Sequence, residues 1–471
     1  MNRGKKLTQN TIIIAFGKIS TQFVSFILLP FYTTILTTKE YGVFDLINTI
    51  VQLSIPIISL MIEQAAFRYL LENKNDKEKS EVITTSLHIL AKMAIIFSIL
   101  MIIITFFYHS KYNLLVSLII IITSFNNLLL QFARGLDNTK LYSLCSFICS
   151  SLIIVFNVIL LSLFHMGVIG MLLATLIGNL ISAIILAYKL KLNHYYSKSS
   201  YDKILKNKLV KYSLPLIPNN ISLWLMNSSD KFIVSLFLGV SMNGILAISH
   251  KFPAIYMTFF GIFLLAWQEF VAIHYFDKDK DEYLSNMINN IFSIFAWTAI
   301  LIILAIPIVF NLFINSNYSE AYNNIPIYMI AFLFDVVIGL LGAIYVANKK
   351  TIEIVKTTTI AAIINIISNI FLIKYIGLYA AAVSTLIGYF IAMILRIIDT
   401  KKYIKLSCNY KKLITLFISL VLACILYYTS NKLYIIVSVP LFMAIIIFSE
   451  RKVLKEMLSI IVKKGEKNEK H

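Results

Sequence analysis

Charge is scarce in this 471-residue sequence: 14% of it is Asp, Glu, Lys or Arg, against about 25% in soluble domains. With 59% hydrophobic residues and a mean hydropathy of +0.82, that shortage excludes a soluble protein and predicts an integral membrane chain. Cysteine is equally sparse. Cys145, Cys149, Cys408 and Cys424 lie in or beside apolar spans without zinc-type pairing. Catalytic signatures are missing as well: no Walker-type phosphate loop, no H-E-x-x-H and no G-x-S-x-G. This argues against an ATP-driven pump. Long external turns are absent too, the longest being about residues 311–323, so a membrane enzyme joining sugars outside the cell has no room for its catalytic groups. The expectation is a non-enzyme with no cofactor and no metal site. The N-terminal MNRGKK precedes an apolar run, but no small-residue cleavage site follows, so the run reads as an uncleaved first helix.

What is present is long apolar spans. Fourteen can be marked, near 11–36, 43–62, 83–107, 113–133, 141–164, 168–188, 211–238, 243–266, 287–310, 324–346, 352–373, 377–397, 412–429 and 433–449. A crossing helix needs about 20 residues. The net charge of +19 suggests nucleic acid at first sight, yet the lysines punctuate the spans and form no basic face. With the N-terminus in the cytoplasm, and basic residues at the cytoplasmic ends of spans counted with the adjoining segment, 34 of the 42 Lys and Arg are cytoplasmic, four lie in external turns and four deeper inside spans. That asymmetry has the sense the positive-inside rule requires. It predicts a multi-pass membrane protein with both termini in the cytoplasm.

The sequence also repeats itself. Thr175-Leu176-Ile177-Gly178 recurs as Thr385-Leu386-Ile387-Gly388, and the same offset of 210 carries Gly167 onto Gly377, Asn138 onto Asn348 and Lys140 onto Lys350. Two parallel six-helix halves follow, at 1–190 and 211–400, joined by a basic cytoplasmic linker at 191–210. Two further helices and a basic tail occupy 401–471. Parallel repeats of this kind are a transporter architecture with the substrate path between the halves.

Charge inside the spans is the most informative feature, because hydrocarbon penalises it by roughly 3 kcal/mol per lysine on insertion scales. Lys18 lies on span 1 with Gln22 and Ser25 on its side of the helix, Lys92 on span 3, Lys231 on span 7 and Lys251 on span 8. Asp230 precedes Lys231, and Asp335 lies near the middle of span 10. Each lysine either snorkels to a membrane surface or faces an interior cavity. Four lysines against two acids leave the span interiors net positive, which suits an anionic substrate such as pyrophosphate. Asp230 and Asp335 are candidates for ion coupling or for charge pairing. Some tyrosines and tryptophans are available to stack on sugar rings.

KEYGVFDLINTI (39–50) running to AAFRYL (65–70), SDKFIVSLFLGVSMNGILAISHKF (229–252), and the paired glycine turns before ATLIG (174–178) and STLIG (384–388) together resemble bacterial polysaccharide (O-antigen-type) flippases of the MATE-like superfamily. The resemblance covers essentially the whole chain. In that family an acid followed by a base sits on span 7 and a glycine opens span 8; Asp230, Lys231 and Gly244 match. Met61-Ile62 departs from it, standing where the family often has glycine. The resemblance implies an all-α fold that flips a polyprenyl-pyrophosphate-linked oligosaccharide from the cytoplasmic to the outer leaflet by alternating access. Its partners would be that lipid-linked cargo, the bilayer and other polysaccharide-assembly proteins. Three alternatives stand beside it. One is a cation-coupled multidrug exporter of the same fold, disfavoured by a span 1 without acids. The others are a flippase of the lipid-linked peptidoglycan precursor and a membrane glycosyl polymerase or ligase.

Overall fold

The computed structural model describes residues 26–451 apart from 73, 74, 349, 430 and 431; those residues are helical throughout and contain no strand. Two compact units divide the chain, residues 1–248 and 249–471. In the first, the helices are α1 (Leu29–Ile35), α2 (Thr38–Ile58), α3 (Ile62–Glu72), α4 (Asp76–Phe107), α5 (Asn113–Gly135), α6 (Thr139–Ser162), α7 (Gly167–Lys189), α8 (Leu192–Tyr195), α9 (Lys203–Ser213), α10 (Leu216–Phe237) and α11 (Val240–Ser249), the last ending at the division. The second holds α12 (Lys251–His274), α13 (Lys280–Phe313), α14 (Ala321–Ala347), α15 (Thr351–Ile376), α16 (Tyr379–Thr400), α17 (Tyr410–Thr429) and α18 (Lys432–Ser449). Among the described residues, eleven helices are long and apolar enough to cross a membrane.

Two predicted spans are broken helices. Span 2 does not stop at 62: α2 ends at Ile58, Leu60 and Met61 turn with φ of 52° and 53°, and α3 carries on to Glu72. Left-handed backbone costs a side-chain-bearing residue about 1–2 kcal/mol, a cost that glycine would avoid. Met61 keeps its place with its side chain buried. Span 8 is likewise α11 and α12, meeting at His250. Span 7 begins at Leu216, after the separate helix α9, which Asp202 starts by accepting a hydrogen bond from the Ile204 N–H at 2.7 Å. At the head of α2, Thr37 and Glu40 form a reciprocal capping box that satisfies two N–H groups otherwise without partners.

The internal repeat has a packing rationale inside each unit. Gly167 opens α7 with φ of 52°, and Gly377 precedes α16 with φ of 55°. Gly178 presses α7 onto α6, where a Cβ would lie 2.4 Å from Ile153, and Gly388 presses α16 onto α15, where a Cβ would lie 3.1 Å from Asn365. In hydrocarbon, such small residues allow the close van der Waals packing that replaces the hydrophobic drive.

In the second unit, α17 is fastened at both ends. The Tyr322 and Tyr427 hydroxyls each donate to the other residue's carbonyl, at 3.0 and 2.6 Å, with the rings stacked at 4.2 Å. At the opposite end Lys412 pairs with the buried Glu450 at 2.7 Å and donates to Asn290 at 3.2 Å, while Ser293 donates to Glu450.

Candidate functional site

In the first unit, α2 meets α11 through bare backbone. A Cβ at Gly42 would lie 2.0 Å from the Val240 carbonyl oxygen, and one at Gly244 would lie 2.0 Å from that of Thr38. Such closeness brings the next turn of α2 against polar side chains. Lys231 Nζ reaches Asp45 Oδ1 at 2.9 Å, with both side chains largely shielded. The Asn243 amide donates to Asp45 Oδ2 at 3.3 Å and to the Gly42 carbonyl at 3.1 Å. Asp230 is buried, and its Oδ1 accepts the Lys231 N–H at 2.9 Å. One turn of α2 further, the Trp224 indole N–H donates to the Thr49 carbonyl at 3.0 Å. The result is an ion pair seated beside a glycine-to-glycine contact, where a lysine at membrane depth finds its counter-charge.

A second charged centre lies within the second unit. Arg396 of α16 is 4% exposed. Its guanidinium donates to the Ile338 carbonyl at 2.6 Å, to Thr357 at 3.2 Å and to Thr358 at 3.1 Å. Gly342 leaves room for it, since a Cβ there would stand 3.0 Å from Nη1. Asp335, one turn before Ile338 on α14, is its electrostatic neighbour and is only partly buried. Tyr256 of α12 also lies within electrostatic reach of that carboxylate.

The family model for polysaccharide biosynthesis proteins matches residues 7–267. The chain belongs to this family. Among curated proteins nothing matches. Solved structures match at the level of the fold. An inward-facing multidrug resistance MATE family transporter is 14% identical, at a TM-score of 0.69, with 82% of this chain and 97% of the other covered. The lipid II flippase MurJ in an inward closed conformation is 16% identical at 0.70, covering 96% and 100%. A variant of the Vibrio cholerae MATE transporter VcmN is 14% identical at 0.59, covering 84% and 96%.

In this polysaccharide biosynthesis protein the sequence-predicted charges are dispersed over several settings. Lys18 lies outside the described residues. Lys231 and Asp230 sit together at the α2–α10 contact. Lys92 is exposed on α4, its Nζ 5.8 Å from the ring centre of Tyr201 in the linker, where His88 also stacks on Tyr196 at 5.7 Å. Lys251 begins α12 and Asp335 lies on α14. Two further residues escaped the sequence reading. Asp45 sits at the head of span 2 amid the family motif, where nothing in the sequence distinguishes it from a surface acid. Arg396 falls with the cytoplasmic basic segment by charge count, yet it is buried. Only its place in the long apolar run of α16 signalled burial.

Proposed function

We propose that this protein flips a polyprenyl-pyrophosphate-linked oligosaccharide from the cytoplasmic to the outer leaflet, for surface polysaccharide assembly, with both termini in the cytoplasm. The observation that carries the reading is the Lys231–Asp45 pair at the Gly42–Gly244 contact. In the proposed orientation this contact lies toward the outside and acts as a latch. Lys231 has two anionic partners in turn, Asp45 while the latch is closed and the cargo pyrophosphate once it opens. Lys18 and Lys251 are further cationic candidates for the cargo pyrophosphate, and Lys92 attracts the cargo at the cytoplasmic mouth. Asp335, beside Arg396, is the group through which ion movement couples to the cycle. Membership of the polysaccharide biosynthesis family supports a lipid-linked cargo over a drug.

Positive charge is what a pyrophosphate requires, so Lys231→Arg should keep much of the export, even though the two side chains hydrate differently. Lys231→Gln should weaken it and Lys231→Glu should abolish it. A partly shielded charge contributes roughly 4 kcal/mol at ~4 Å with an effective dielectric near 20. A third of that surviving desolvation changes affinity about tenfold. Complementation of a flippase-null strain, with surface polysaccharide quantified and protein level checked by blot, reads the series. Full complementation by a Lys18, Lys231 and Lys251 triple Gln variant would sink the cationic route.

A further inference from the structure

Just beyond the Trp224–Thr49 hydrogen bond, α2 and α10 part and leave a cavity of about 230 Å³, lined in part by Gln52, Pro56, Asn220, Trp224, Asn227 and Ser228. That is more than a lone water fills and less than typical ligand pockets of about 300–1,000 Å³. The volume suits one ring, not a whole oligosaccharide. Among the described residues no charged side chain lines it. The polar groups are neutral amides and a hydroxyl, which supply donors and acceptors together.

Three features make this a built site. The Asn220 amide donates to the Leu216 carbonyl at 3.0 Å, and that of Asn227 to Leu223 at 2.9 Å. Held in this way, the Asn220 carbonyl oxygen is set as an acceptor. The indole of Trp224 is fixed at both edges, by its N–H bond to Thr49 and by Phe232 at 5.6 Å. Pro56 lies inside α2 and has no N–H to give to the carbonyl of Gln52, four residues earlier. A backbone oxygen deprived of its helical partner at membrane depth needs a polar neighbour, and Gln52 and Pro56 both line this cavity.

Amides, a hydroxyl and one rigid aromatic face form a set that recognises a ring with hydroxyl groups on its rim and apolar C–H on its faces. We infer that the cavity between α2 and α10 binds a single sugar ring of the cargo, stacked on Trp224 and hydrogen-bonded by Gln52 and Asn220. This rests on the lipid-linked-cargo reading and adds to it a division of labour. Lysine charge holds the pyrophosphate, while a neutral pocket on the same helix reads the sugar.

The test uses the full-length protein in nanodiscs and three radiolabelled probes: farnesyl pyrophosphate, farnesyl-pyrophosphoryl-N-acetylglucosamine and farnesyl-pyrophosphoryl-galactose. Wild-type protein should bind at least one sugar-bearing probe about tenfold more tightly than the bare one. Gln52→Leu, Asn220→Leu and Trp224→Leu should each bring that ratio toward one, leaving affinity for the bare probe unchanged. Gln52 is exposed, so its variant carries little folding risk and keeps the test sound if Trp224→Leu misfolds. Equal wild-type affinity for all three probes would overturn the sugar site and leave pyrophosphate binding standing. A ratio that survives in all three variants would also overturn it, by locating recognition elsewhere. Failure of every probe to bind would instead bring down the lipid-linked reading beneath it.

Discussion

At the scale of single residues, Arg396 and Asp335 are electrostatic neighbours but not equals. Arg396 spends its hydrogen bonds on a carbonyl and two threonines, and no hydrogen bond joins it to Asp335 among the described contacts. Removing the guanidinium strands three oxygens and leaves the acid without its nearby positive charge. Arg396→Gln should therefore cost about 3–5 kcal/mol of stability, as breaking a buried charge system does, and lower the melting temperature of the purified protein. Asp335→Asn removes only the partly exposed member. It should leave insertion and melting temperature nearly unchanged while slowing polysaccharide export, and wild-type export would assign Asp335 to charge balance alone. Asp335 could be singled out in the sequence because an acid stands alone in an apolar run. Its partner could not, since Arg396 lies four residues from the end of α16, where a basic residue ordinarily meets the headgroups. Depth near a helix end is decided by tertiary packing, which a linear charge count does not contain.

Among the helices, the decisive contact is the crossing of α2 with α11. At both glycines an added Cβ would fall 2.0 Å from a backbone oxygen, so the helices themselves must separate to admit it. Gly42→Ala and Gly244→Ala should insert at wild-type levels yet pull Lys231 away from Asp45 and hold the latch open. Export should fall at least tenfold in the complementation assay. Gly261→Ala is the control: nothing lies within 4 Å of its would-be Cβ, and it should export normally. Retained export in the two crossing variants would remove the latch from the mechanism. The sequence reading placed most spans to within a few residues because long apolar runs have few alternatives to helix in a membrane. Helix breaks were invisible to it. IEQAAFRYLLE carries Glu63, Gln64, Arg68 and Glu72 and so lacks the look of a span, although α3 buries Glu63 and pairs Arg68 with Glu72 at 2.7 Å. Leu60 and Met61, both apolar, hide the turn between them.

For the molecule as a whole, the orientation depends on how many times the chain crosses, and the broken helices test that count. α3 has 11 residues and α11 has 10, about 16 and 15 Å at 1.5 Å per residue. Neither spans a hydrocarbon core of about 30 Å. Each therefore extends a neighbour, α3 continuing α2 and α11 leading into α12, and neither adds a crossing of its own. The alternation that places 34 of 42 basic residues on one side is thereby preserved. Reporter fusions after Lys191 and after Glu282 should both report cytoplasm, and one after Asn317, in the turn between α13 and α14, should report outside. The Asn317 fusion is the most discriminating, because it follows the 34-residue α13, whose single crossing reverses the side set at Glu282. A cytoplasmic signal there would invert the second unit. Export from the inside outward would then have to be argued without the positive-inside asymmetry, and the Lys231 latch would lie on the wrong face to release a cargo.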